Sequence, residues 1–196
     1  MIYVYAFVSE LPRGDGLIAI RAGKLVVAAA KLDARPAPDE AGLRAHDAIV
    51  RRLWDAAEAV LPVRFGAVFA DEAAARAEIT AQREPLEEAL ELVRGCAQMT
   101  LRVAAEEAAE PADGGPGTRY LLARARAQKA PEIDALRPAL APLVRAERSD
   151  RKSGVVSVFH LVPRAQVAAY REAVANFRAI VSGPFPPYAF APEELA

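Results

Sequence analysis

At Pro62 the hydrophobic period of the chain changes, and that change constrains the fold more than any other feature. From Leu43 to Leu61 the apolar residues Leu43, Val50, Leu53, Trp54, Ala57, Val60 and Leu61 recur at helical spacing. Proline then removes a backbone donor and clashes with the preceding turn, so the helix is expected to stop there. Residues 63–69, VRFGAVF, run with a period of two, as a strand does. A helix that hands over to a strand across so short a connection belongs to a mixed architecture.

The flanking sequence fills that architecture in. Ile2, Val4, Ala6 and Val8 alternate with Tyr3, Tyr5 and Phe7 in a first strand, which PRGDG interrupts. LIAI, RAGK and LVVAAAKL read as a hairpin turning at Gly23. Residues 33–42 form a loop. Asp71 is placed to cap a helix over EAAARAEITAQRE, Pro85 to restart it before LEEALELVR, and Gly95 to end it. AQMTLRV alternates again. The order approaches a β-α-β-β-α-β unit, so the fold class predicted is α+β, with a modified ferredoxin-like N-terminal domain over residues 1–106. Such a unit packs its helices on one sheet face and leaves the other free. The acidic, then glycine-rich AEEAAEPADGGPG places a linker at 107–117. A smaller helical α+β domain follows over 118–196, with helical segments broken by Pro138 and Pro142. It continues with the strand VVSVFHLV, a helix starting at Pro163 and carrying Val167, Tyr170, Val174 and Phe177, and a last strand AIVSG. A proline- and aromatic-rich tail ends the chain.

Little chemistry is legible. The formal charge is −1 and the pI about 6.2, which argues against a partner bound mainly through phosphates. Neither His46 nor His160 has acidic or cysteine neighbours at metal-ligand spacing, and the lone Cys96 lacks a reactive motif. His46 lies on the apolar helix stripe and reads as a core-edge residue. GDG and GGPG are not phosphate loops, and the serines lack a nucleophile elbow. The expectation is a protein without catalytic, metal or cofactor residues. With one cysteine, no signal-like N-terminus and no run of about 20 apolar residues, a cytoplasmic protein without membrane spans is expected.

The free sheet face is the candidate for contact. If the aliphatic set of the first strand packs under the helices, Tyr3, Tyr5 and Phe7 point outward. With Phe65 and Phe69 in the core, Arg64 and Arg102 join them, a mixture common at interfaces. Arg64 either braces the helix-to-strand junction or is displayed to a partner. The bland alternative is that the C-terminal domain covers this face. An RNA-recognition reading fits the topology, but VRFGAVFA lacks the glycine-aromatic signature and the chain is not basic. An enzyme or small-molecule regulator on the same scaffold needs a pocket with convergent polar groups. In the tail, Phe185, Tyr188 and Phe190 stand on a proline-stiffened segment and are expected to dock within the chain, closing the C-terminal domain over the N-terminal one.

YVYAFV at 3–8, HDAIVRRLWDAAEAVLPVRFGAVF at 46–69, LELVRGCAQMTLRV at 90–103, YLLARARAQ at 120–128 and VSGPFPPYAF at 181–190 occur together and in order. In these blocks, which span nearly the whole chain, the protein resembles the gas vesicle protein F/L family (GvpF/GvpL). LPVRFG and GPFPPYAF are its most specific motifs. Ala6, Gln98 and Phe185 stand where the family often has glycine, glutamate and tryptophan, which bears on the choice between F and L subgroups. The resemblance implies a two-domain α+β protein with an accessory or minor structural role in gas vesicle assembly. It implies contact with the hydrophobic shell protein and other accessory proteins, on the gas-facing side of the shell, and brings no catalytic residues.

Overall fold

The computed structural model describes residues 1–12, 16–105 and 130–191. The chain forms two compact units, one of Met1–Cys96 with Phe185–Ala196, the other of Ala97–Pro184. The 107–117 boundary and the YLLARARAQ block lie outside the described residues.

The first unit is built on a sheet of β1 (Ile2–Val8), β2 (Ile18–Ala22), β3 (Leu25–Lys31), β4 (Val60–Pro62) and β5 (Val68–Phe69). The order is β2-β3-β1-β4, with β5 also on β1, and every pairing is antiparallel. The hairpin turns at Gly23 as the sequence suggests, Ala22 pairing with Leu25. Helices α1 (Glu40–Ala56), α2 (Glu72–Ala81) and α3 (Arg83–Leu92) complete it. Asp39 caps α1 by accepting from the Gly42 amide at 2.8 Å, and Asp71 caps α2 by accepting from Ala74 at 2.8 Å. Helix α1 ends at Ala56, earlier than its apolar stripe predicts. Val60 and Leu61 leave it to pair with Val8 and Phe7, so ladder bonds to β1 replace the last helical turn.

The register of β1 shifts between Val4 and Ala6, making Tyr5 a bulge residue. One extra residue reverses the facing of everything after it. Tyr3, Tyr5, Ala6 and Val8 therefore share one core with Val50, Leu53 and Ala57 of α1. Val4 and Phe7 face the other way, lining an apolar void of about 10 Å³ with Val63, Ala67, Phe69 and Ile79 of α2. Both faces of β1 are thus covered by helices.

The second unit has a sheet of β6 (Cys96–Ala104), β7 (Ala146–Lys152), β8 (Val155–Pro163) and β9 (Ile180–Phe185), in the order β7-β8-β6-β9, with α4 (Arg137–Leu140) and α5 (Val167–Val174). The molecule is α+β with two sheets, but β6, expected to complete the first sheet, opens the second. The β-α-β-β-α-β order accordingly runs from β6 through β9, with the strand order of a split β-α-β motif. Two facts explain the displacement. The edge of β1 not paired with β3 is taken by β4 and β5, and the apolar side of β6 (Met99, Leu101, Val103) fits the core of Val156, Val158, Tyr170 and Val174.

Candidate functional site

Between β4 and β5 the LPVRFG block makes a wide bulge. Ala6 pairs with Pro62 and Tyr3 with Val68, so three steps along β1 match six along the partner strand, an excess of three. The ladder resumes on each side, through Val63 N–H to Tyr5 O at 2.9 Å and Val4 N–H to Ala67 O at 3.0 Å. Arg64, Phe65 and Gly66 lie between. Gly66 has φ +97°, a conformation that side-chain-bearing residues avoid.

Buried polar groups hold this bulge. His46, 5% exposed, meets Val63 O through Nε2 at 3.1 Å and the Tyr3 hydroxyl through Nδ1 at 2.9 Å. A carbonyl can only accept, so Nε2 carries the proton in the neutral ring and Nδ1 accepts from Tyr3. The Tyr3 oxygen in turn accepts the Gly66 amide at 3.2 Å. Arg35 Nη2 donates to Gly66 O at 2.6 Å. Phe65 closes the cluster, its ring 5.7 Å from His46 and 6.2 Å from Tyr3, edge to face in both cases. Gly42 on α1 makes room for it: a Cβ there would lie 3.3 Å from the Phe65 ring and 2.3 Å from Ala37 O. Burial lowers the His46 pKa, with the Val63 bond and Asp47 pulling weakly the other way. Burial raises that of Tyr3. The chain from Gly66 through Tyr3 and His46 to Val63 is neutral and each of its members is satisfied, with the exposed, charged Arg35 bonded at its rim.

The tyrosines and Phe7 do not form an exposed row. Tyr3 is 1%, Tyr5 7% and Phe7 1% exposed, because the Tyr5 bulge and the helices on both faces enclose them. The expected split of the VRFGAVF run also fails: Phe65 joins the tyrosine side and Phe69 the opposite one. Arg64 is exposed, and among the described residues it has no hydrogen-bond or ion-pair partner. The bonds that brace the bulge come from Arg35, Tyr3 and His46. Arg102 is exposed on β6 in the second unit, so the two arginines do not share a sheet.

The tail reaches α1 within the first unit. Tyr188 donates to Asp47 Oδ1 at 2.8 Å, Phe190 is 1% exposed, and Arg51 lies over the Phe185 ring at 5.5 Å. Burial pushes the Asp47 carboxyl up, but hydrogen bonds from Arg51 and Tyr188 outweigh it and hold the group below its usual value. Burial and Asp47 push the Tyr188 hydroxyl up.

The second unit holds a histidine cluster that local spacing did not reveal. His160, 1% exposed, meets Glu147 Oε2 through Nε2 at 3.0 Å and the Tyr170 hydroxyl through Nδ1 at 2.6 Å. Arg137 binds both Glu147 oxygens at 2.9 and 2.8 Å, Asp134 at 2.8 Å and Ala130 O at 3.2 Å. Arg151 pairs with Glu132 alongside. Glu147 faces His160 across the β7–β8 ladder, a pairing thirteen residues apart that only register discloses. A carboxylate, imidazole and hydroxyl in line invite a catalytic reading. Tyr170 is fully buried, however, and burial drives its hydroxyl pKa upward, away from nucleophilic use. Among the described residues no cluster of His, Cys, Asp or Glu is arranged to hold a metal, and no helix is long and apolar enough to cross a membrane. Cys96 is a buried free thiol.

Residues 1–192 match the family described as gas vesicle synthesis protein GvpL/GvpF. Two solved structures share the fold. The gas vesicle protein GvpF of Microcystis aeruginosa has a TM-score of 0.72 at 15% identity, with 97% of this chain and 98% of that chain covered. GvpF of Anabaena sp. PCC7120 has a TM-score of 0.70 at 13% identity, with the same coverage. No curated protein matches the sequence significantly.

Proposed function

From the premise that the chain belongs to the GvpL/GvpF family of gas vesicle synthesis proteins, and so serves gas vesicle formation, we propose that it binds the hydrophobic shell protein during assembly. The observation that carries this reading is the displayed bulge. The most specific sequence block of the chain spends a positive-φ glycine, a buried histidine, a tyrosine hydroxyl and a second arginine on holding three residues out of a strand. What that investment presents to solvent is Arg64. A guanidinium with five donors on a rigid base suits a carbonyl-rich helix end or a carboxylate on a partner. A shell protein that encloses gas is strongly apolar, and an escort needs polar anchoring points to bind it without aggregating itself. Arg102 is a second exposed anchor in this reading, Tyr3, Tyr5 and Phe7 act only by supporting the bulge, and the protein works as a binding partner at the gas-facing side of the shell, not as a catalyst.

Co-expression of the tagged protein with the shell protein, followed by pull-down in chelator after nuclease treatment, tests this. Capture of the shell protein by the wild type, and its loss from Arg64→Ala at unchanged melting temperature, is the expected result. Equal capture by wild type and variant removes Arg64 from the interface. Capture of another gas vesicle protein in place of the shell protein moves the contact to an accessory partner.

A further inference from the structure

We propose that His46 is an acid-sensitive latch on the bulge: protonation of its ring loosens Gly66 from the Tyr3 hydroxyl of β1 and changes how Arg64 is presented. The neutral ring uses both nitrogens, one donating to Val63 O and one accepting from Tyr3. A doubly protonated ring has no acceptor to offer. The Tyr3 hydroxyl must then turn away, its proton loses its partner, and its oxygen receives two donors, Nδ1–H and the Gly66 amide. Nε2–H keeps its bond to Val63 O, so the bond at stake is the one from the Gly66 amide to the Tyr3 oxygen, which must now serve a second donor.

The surroundings do not rescue the charge. On β1, Tyr3 and Tyr5 face the ring as neutral hydroxyls, each with its pKa raised by burial. From the 33–39 loop, Arg35 adds positive charge at Gly66, and Arg52 of α1 lies within electrostatic reach of Tyr5. Asp47 is the neighbouring carboxylate, but Arg51 and Tyr188 occupy it. On the bulge itself Phe65 is neutral and Arg64 points to solvent. Attraction of an imidazolium to the rings of Tyr3, Tyr5 and Phe65 is weaker than the hydration lost on burial. Burial accordingly depresses the His46 pKa, so the latch is closed at neutral pH and opens on the acid side of the usual imidazole range.

Amide exchange by NMR on the full chain, corrected for intrinsic rates between about pH 7.5 and about pH 5, tests the latch across that range. The expected result is a fall of about tenfold or more in protection at Gly66, a change set by the per-unit free-energy scale. Val27 and Ala28 in the β1–β3 ladder should keep their protection. His46→Gln retains a donor and an acceptor but cannot titrate, and should abolish the pH dependence. If that variant fails to fold, Tyr3→Phe serves, with Gly66 poorly protected at every pH. Protection at Gly66 that is independent of pH in the wild type, or that falls in step with Ala28, overturns the proposal. So does pH dependence that persists in His46→Gln. The use of the latch in assembly rests on the shell-binding reading, and the two fail separately. Loss of shell-protein capture at neutral pH with a working latch sinks only the partner, while equal capture on both sides of latch opening sinks only the regulation.

Discussion

Each unit buries a histidine against a tyrosine hydroxyl, and the two pairs end differently. His46 finishes on a backbone carbonyl, so its chain is neutral from Gly66 through Tyr3 and His46 to Val63. His160 finishes on Glu147, whose charge passes to Arg137 and on to Asp134. The neutral chain braces an irregular backbone from inside. The ionic chain, with Arg151–Glu132 beside it, staples the segment 130–137 to the edge strand β7. Neutral hydrogen bonds contribute about 1 kcal/mol net each, charge-assisted ones roughly twice that. The acceptor at Nε2 decides whether the same residue pair shapes a loop or joins two elements.

The comparison assumes that the pairs belong to separate units, and the largest expected effect tests that. Phe190→Ala empties a buried site in the turn that packs on β4 and should cost about 3–4 kcal/mol. Trp54, the single tryptophan, reports on the first unit by fluorescence, while amide exchange along β8 reports on the second. An equal loss of protection in β8 would show one cooperative body and break the comparison.

Removing each hydroxyl sharpens it. Tyr3→Phe strips a partner from both His46 Nδ1 and the Gly66 amide, for about 2 kcal/mol. Tyr170→Phe strips one from His160 Nδ1 alone, while Nε2 keeps its carboxylate, for about 1 kcal/mol. Urea denaturation of both variants measures the difference. Equal losses would mean that the Gly66 bond contributes nothing.

Acid should separate the pairs with the smallest change, at most about 1.4 kcal/mol per pH unit for a single group. Burial lowers the folded pKa of His46, so the unfolded chain binds the proton more readily. That part of the stability is complete above the ordinary histidine value of 6.5 and is lost as pH falls through and below it. Burial raises Glu147, but its bonds to His160 and Arg137 prevail and hold it low. Its contribution is complete above 4.5 and is lost as pH falls through the folded value. Unit-resolved exchange should therefore show the first unit weakening before the second. Simultaneous loss, or the reverse order, would refute the assignment of a neutral and an ionic chain.

How much of this was legible in the sequence varied with distance along the chain. The α2 cap at Asp71, the restart of the helix near Pro85 and the hairpin at Gly23 all rest on neighbours within a few residues, and each appears as read. The exposed row of aromatics did not appear, because period-two parity assumes an unbroken ladder and the Tyr5 bulge breaks it. Leu43, counted in the apolar stripe of α1, is 50% exposed at the helix's first turn. Arg64 stands out in an apolar run of the sequence, but its exposure depends on a three-residue excess against β1 that no local pattern encodes.

The sequence by itself determined the α+β class, the family and those elements marked by caps and turns, since caps, turn residues and motif blocks are local or ordered along the chain. Only the tertiary structure decided which sheet β6 enters, which face of β1 each aromatic occupies, and which groups complete the two histidine chains. Strand pairing is chosen by free edges and by the fit of apolar faces, and both are properties of the assembled core. Tyr3 and His46 are 43 residues apart, and Tyr188 and Asp47 are 141 apart. Contacts across such separations form only when packing offsets the entropy of closing the loop between them.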